Sequence, residues 1–142
     1  MELDPDRFAA ALANRLAAVV PDGFHVTVED DMLWFRSDPG RFPGQRGDYR
    51  VGASGIWPRE DLLTCAGYDD GAEDCPAGAA RHALDVLQDY VAEATHDPWP
   101  GVRVMPEPQA KVRGSALHLW YGPADAPVLA CEPINLADIA AH

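Results

Sequence analysis

Lysine is almost missing from this chain. Lys111 stands alone, and with 11 Lys and Arg against 23 Asp and Glu the formal net charge is −12 at pH 7. Gripping a nucleic-acid backbone or an anionic lipid surface requires clustered basic side chains. Neither partner class is therefore expected. Cysteine is scarce too. Cys65, Cys75 and Cys131 form an odd and unpatterned set, and a chain of 142 residues is long enough to bury a core without a disulfide framework. They read as reduced thiols in a cytoplasmic protein. No window approaches the roughly 18 consecutive apolar residues of a membrane helix, and Met1-Glu2-Leu3-Asp4-Pro5 has neither the basic nor the apolar part of a signal peptide. Neither insertion nor export is expected.

Recognisable chemistry is equally sparse. A structural zinc site needs close cysteine or histidine pairs and four ligands, whereas Cys65, Cys75 and His82 are spaced wrongly. Calcium-loop spacing is lacking as well. The stretch from Pro39 to Gly55 holds several glycines with Arg41, Arg46 and Arg50, but it fits neither of the glycine-rich phosphate-binding patterns. It reads as a loop, and Arg46-Gly47-Asp48 as a chance tripeptide. His82 and Asp85 lie three apart, with Cys75 nearby as a conceivable nucleophile, but a triad depends on geometry that spacing cannot supply. The simpler reading is a surface histidine beside a carboxylate. No catalytic residue, metal or cofactor is predicted.

One long helical period is present. Ala80, Ala83, Leu84, Leu87, Val91 and Ala94 fall on one stripe, which predicts a helix over 76–95, about 20 residues and roughly 30 Å long. Pro76 suits its first turn, Cys75 or Asp74 its cap, and Asp97-Pro98-Trp99-Pro100-Gly101 its end. Off the stripe run Asp85, Asp89 and Glu93, each four residues from the next. Like charges at that spacing mark a solvated face.

Around this helix the pattern is mostly β. Asp4-Pro5 opens an N-terminal helix whose face is Phe8, Leu12, Leu16 and Val19, and Pro21-Asp22-Gly23 closes it. Alternation at 25–29 and the run 32–35, across Asp30-Asp31, predict a hairpin. A third strand is expected at 49–53, while 60–74 accommodates a short turn of helix or of strand around Leu62-Leu63. Val102-Arg103-Val104 and Lys111-Val112-Arg113 read as strand pieces, separated by Pro106 and Pro108. After Gly114-Ser115 the residues Ala116, His118 and Trp120 alternate with Leu117, Leu119 and Tyr121, and Val128–Cys131 follows a turn. A last short helix is expected around Leu136–Ile139, capped by Asn135.

The expected fold is thus α+β: one domain over 1–142, a two-layer sandwich in which an N-terminal helix and a long central helix cover a mostly antiparallel sheet, in the order α-β-β-β-α-β-β-β-α. That order of elements resembles the type III secretion chaperone-like fold over nearly the whole chain, with no motif residue to carry across. The resemblance implies helices on one face of an antiparallel sheet and a tendency to dimerise.

Two candidate sites follow. The first is an acidic side made by Asp69, Asp70, Glu73 and Asp74 together with Asp85, Asp89 and Glu93, in a segment 60–97 whose only lysine or arginine is Arg81. It suits a non-enzymatic interaction module, adaptor or chaperone-like, with a basic protein partner and a homodimer as one form. The second is a pocket using Arg50, Arg113, His118 and Trp120 between the sheet and the 37–55 loop, which suits a small-molecule-binding protein or an enzyme.

Overall fold

The computed structural model describes residues 3–29, 32–44, 54–58 and 74–140. Asp4 starts helix α1 (Pro5–Ala17) as expected, its carboxylate accepting the backbone N–H of Asp6 at 2.9 Å and of Arg7 at 3.2 Å. Such a cap satisfies two donors that the helix itself leaves unpaired, and typically contributes about 1 kcal/mol. Phe8, Leu12 and Leu16 are fully buried, with Ala9 and Ala13 filling the gaps between them.

Strands β1 (Phe24–Glu29) and β2 (Met32–Ser37) pair antiparallel, Val26 opposite Phe35 and His25 opposite Arg36. Because side chains alternate across a strand, this register sends Phe24, Val26, Leu33 and Phe35 into the core together. A third strand, β3 (Ser54–Pro58), joins β2 across an irregularity between Leu33 and Trp34. It lies after the expected 49–53, and those residues, like 60–73, fall outside the described ones.

Helix α2 (Asp74–Thr95) is the long amphipathic element, and it begins two residues before Pro76. Asp74 and Cys75 are thus within the helix instead of capping it. Pro76 is tolerated in the first turn because that turn has no intrahelical partner for its N–H. The whole predicted stripe is buried, from Ala80 to Ala94. Among the described residues of α2, Gln88 is the polar side chain buried with it; its amide donates to the Pro106 carbonyl at 2.6 Å, which fixes the connection beyond the helix. At the end of α2 the Thr95 hydroxyl donates to the Val91 carbonyl at 2.8 Å and accepts the Asp97 N–H at 3.2 Å, and His96 takes the left-handed conformation that terminates a helix. Gly44 donates to the Ala94 carbonyl at 2.8 Å, and a Cβ there would collide with the Glu93 carbonyl. Only glycine lets the loop come so close.

The remaining strands are β4 (Pro108–Arg113), β5 (Ala116–Tyr121), β6 (Leu129–Ala130) and β7 (Ile134–Asn135), all antiparallel, with β4 and β6 flanking β5 and β7 also pairing to it. Val102–Val104 is not a strand: Val102 is 90% and Val104 75% exposed. Gly101 and Pro106 surround a segment with nothing to pair with, and the ladder starts at Pro108, where an edge strand tolerates proline as its first residue. Asn135 caps a closing 3₁₀ turn, Leu136–Ile139, and Asp4 N–H donates to the Ile139 carbonyl at 2.8 Å.

The architecture is α+β, with helices packed on antiparallel sheets: α1 on β1, and α2 on β3, β4 and β5. The strands belong to two sheets instead of one, β1–β2–β3 and β4–β5–β6 with β7, and no ladder joins them among the described residues. The 22-residue α2 comes between β3 and β4 in the chain.

Candidate functional site

Register decides what β4 and β5 present to solvent. Directly opposed residues share a face: Ala110 faces Leu119 and Val112 faces Leu117 on the inner side, whereas Gln109 faces Trp120, Lys111 faces His118 and Arg113 faces Ala116 on the outer side. Leu117, Leu119 and Tyr121 are buried, and the Tyr121 hydroxyl donates to the Leu84 carbonyl of α2 at 2.6 Å. The outer side is therefore the one turned away from the helix.

On that outer side Arg113, His118 and Trp120 line a half-open cleft of about 150 Å³. Sequence periodicity put these three together, and the structure does the same. The far wall was not foreseen. It comes from Ala124 and Pro127 in the β5–β6 connection and from Ala130 and Cys131, so the cleft lies beside that connection and not, as expected, beside the 37–55 loop. Arg50 lies outside the described residues. The indole N–H of Trp120 donates to the Gly122 carbonyl at 3.0 Å, and the Arg113 guanidinium lies 5.7 Å from the centre of the Trp120 ring. Such a placement is attractive because the ring face is electron-rich. Cys131 is buried at the back, and burial pushes its thiol up to about 11, which keeps it protonated and a poor nucleophile at neutral pH.

The acidic side is only partly described. Asp69, Asp70 and Glu73 lie outside the described residues, as does the side chain of Asp74. Asp85, Asp89 and Glu93 stand exposed on α2, and among the described residues none has an arginine or lysine within ion-pair distance. The Asp89 carboxyl is held above the usual carboxylate range by partial burial and then by the charges of Asp85 and Glu93.

Elsewhere three described arginines are held by carboxylates. Arg7 pairs with Asp4, Arg36 with Glu29, and Arg41 with Asp22 at 2.8 Å and Asp38 at 3.3 Å. His25 Nε2 also meets Asp38 at 2.8 Å, and this hydrogen bond, with Arg41, holds the Asp38 carboxyl below its ordinary value. Sequence reading missed this surface network. The β1–β2 register, which places Phe24 opposite Ser37, was the signal that Asp38 would lie near His25. The loop arginine Arg41, considered above as part of an anion cradle, is thus spent on carboxylates. No group of three or more metal-ligating side chains occurs among the described residues, and the side chains of Cys65 and Cys75 lie outside them. No described helix is long and apolar enough to cross a membrane.

No protein-family model matches the chain, and no curated protein or solved structure shows significant similarity to it.

Proposed function

We propose that this protein is a non-enzymatic interaction module, adaptor or chaperone-like, that works in the cytoplasm and presents the acidic face of α2 to a basic protein partner. The observation that carries this reading is the row Asp85, Asp89 and Glu93, three exposed like charges spaced along one helix, none with an arginine or lysine within ion-pair distance among the described residues. Like charges four apart on a helix oppose folding by a few tenths of a kcal/mol per pair. A partner's lysines or arginines relieve that repulsion on binding. A homodimer needs another face, since two such rows repel each other.

The test is the salt dependence of capture. Screening shortens the reach of charge from about 10 Å at 0.1 M to about 3 Å at 1 M, so association with the partner slows as salt rises and weakens when Asp85→Asn, Asp89→Asn and Glu93→Gln are combined. An association rate indifferent to both changes removes this reading. The cleft favours a second reading, in which the protein binds a small molecule through Arg113, His118 and Trp120.

A further inference from the structure

Strand β1 has β2 on one side and no strand on the other. The Asp38 N–H donates to the Gly23 carbonyl at 2.9 Å, which makes the next pair inward, Phe24 with Ser37, one that exchanges no backbone bonds of its own, and the pairing alternates from there. His25, Thr27 and Glu29 therefore spend their backbone groups on β2. Phe24, Val26 and Val28 turn theirs to the open side, where the Phe24 N–H is taken by the Pro21 carbonyl at 3.2 Å, and no described residue bonds the N–H or C=O of Val26 or Val28. Such an edge is usually blunted by proline or lysine. The edge strand β4 of the other sheet carries both, as Pro108 and Lys111, whereas β1 reads Phe-His-Val-Thr-Val-Glu and carries neither.

We infer that β1 pairs antiparallel with β1 of a second copy about a twofold axis at Thr27, joining two three-stranded sheets into one. The backbone selects this register. Centred at Thr27, Val26 lies opposite the partner's Val28, and both copies use every free N–H and C=O of these two residues. A centre at Val26 leaves the Val28 carbonyls without a donor, because the Phe24 N–H is spent on Pro21. The side chains agree with the backbone. On the outer face Thr27 meets the partner's Thr27, and His25 meets the partner's Glu29, both favourable cross-strand neighbours. On the inner face Val28, 38% exposed in the single chain, comes against the partner's Val26. Charge also permits the approach, since near β1 the carboxylates of Glu29, Asp22 and Asp38 already hold Arg36 and Arg41. This pairing is independent of the acidic row on α2, and either reading can fail alone.

Thr27→Cys tests the register. The Cα atoms of a pair that exchanges no hydrogen bonds lie about 4.5 Å apart, within reach of a disulfide, whereas the two copies of position 25 are separated by about 13 Å along the strands. Mild oxidation of the full chain should link most of Thr27→Cys into a reducible dimer, and should link His25→Cys no more than the wild type. Sedimentation of the wild type up to about 1 mM, a range suited to a small interface, should show a reversible dimer. Val28→Pro should weaken that dimer at least tenfold by removing one bond from each Val26–Val28 pair. Its circular dichroism spectrum should not change, since this N–H faces away from β2 and an edge strand tolerates proline there. If Val28→Pro does not fold, Val28→Lys replaces it, with the same loss expected. A wild type that stays monomeric throughout, a dimer indifferent to the folded Val28 variant, or a Thr27→Cys that links no better than His25→Cys overturns the proposal.

Discussion

Replacing Tyr121 by phenylalanine removes one oxygen from the centre of the molecule and nothing else. Tyr121 is fully buried, its ring meets the Trp99 ring edge-on at 5.5 Å, and its hydroxyl donates to the Leu84 carbonyl at 2.6 Å. Phenylalanine keeps every ring contact. The Leu84 carbonyl, in the middle of α2, still accepts the helix N–H four residues on, so no buried acceptor is orphaned. The loss is then the net worth of one neutral hydrogen bond, about 1 kcal/mol, or a fall of about 3 °C in melting temperature for a chain of this length. Urea melts at pH 7 measure it.

A second arm uses pH. Burial, with smaller contributions from Cys131, Asp85 and Asp89, pushes the Tyr121 phenol far above its ordinary 10.0. The unfolded chain therefore releases this proton first, and stability falls as pH rises above about 10, by up to about 1.4 kcal/mol per pH unit. Cys131, raised from 9.0 to about 11, loses stability in the same direction between those values. Tyr121→Phe abolishes the tyrosine part, so the gap between wild type and variant should close as pH passes 10. A gap that stays constant to pH 11, or a cost at pH 7 above about 3 kcal/mol, refutes this account of the hydroxyl.

Leu87→Ala should cost about 2–5 kcal/mol through lost burial and a cavity, since Leu87 is only 1% exposed on the face of α2 that meets the sheets; a loss below about 1 kcal/mol in denaturant melts would mean that face is loosely packed. Asp89→Asn should stabilise the protein by a few tenths of a kcal/mol at low ionic strength, and the gain should vanish in 1 M salt. Thermal melts at both salts decide it, and a loss at low salt would show that Asp89 is paired.

The helices were legible because a period sustained over four or more turns has few alternative readings. The stripe from Ala80 to Ala94 and the cap at Asp4 are local facts of sequence that packing obeys. The strands were legible only where their length resolved a face. Leu117, Leu119 and Tyr121 alternate with His118 and Trp120 over six residues, which sufficed to put His118 and Trp120 on one side, and the β4–β5 register brings Arg113 to it. Val-Arg-Val at 102–104 was too short. Three residues alternate by chance, and what denies them a ladder is tertiary: the Gln88 amide holds the chain at Pro106. The back of the cleft was illegible for a like reason. Cys131 reaches it because its N–H donates to the Leu119 carbonyl at 2.9 Å, a long-range pairing that no local period announces. Two sheets rather than one were hidden likewise, since alternation shows that a strand has an inner side and not which strands it joins.

The two sheets share no ladder among the described residues, yet both lean on α2. Tyr90 meets Phe24 at 5.9 Å and Phe35 at 6.3 Å and bonds the Ser37 hydroxyl at 3.0 Å, while six residues earlier Leu84 receives the Tyr121 hydroxyl. Much of the cooperativity of this fold must then pass through one helix. Neither sheet can come away from α2 without baring part of its apolar stripe, so the two sheets are coupled through that helix although no ladder joins them among the described residues. The exposed carboxylates Asp85, Asp89 and Glu93 lie on this same shared helix, so relief of their mutual repulsion strengthens the one element on which both sheets rest.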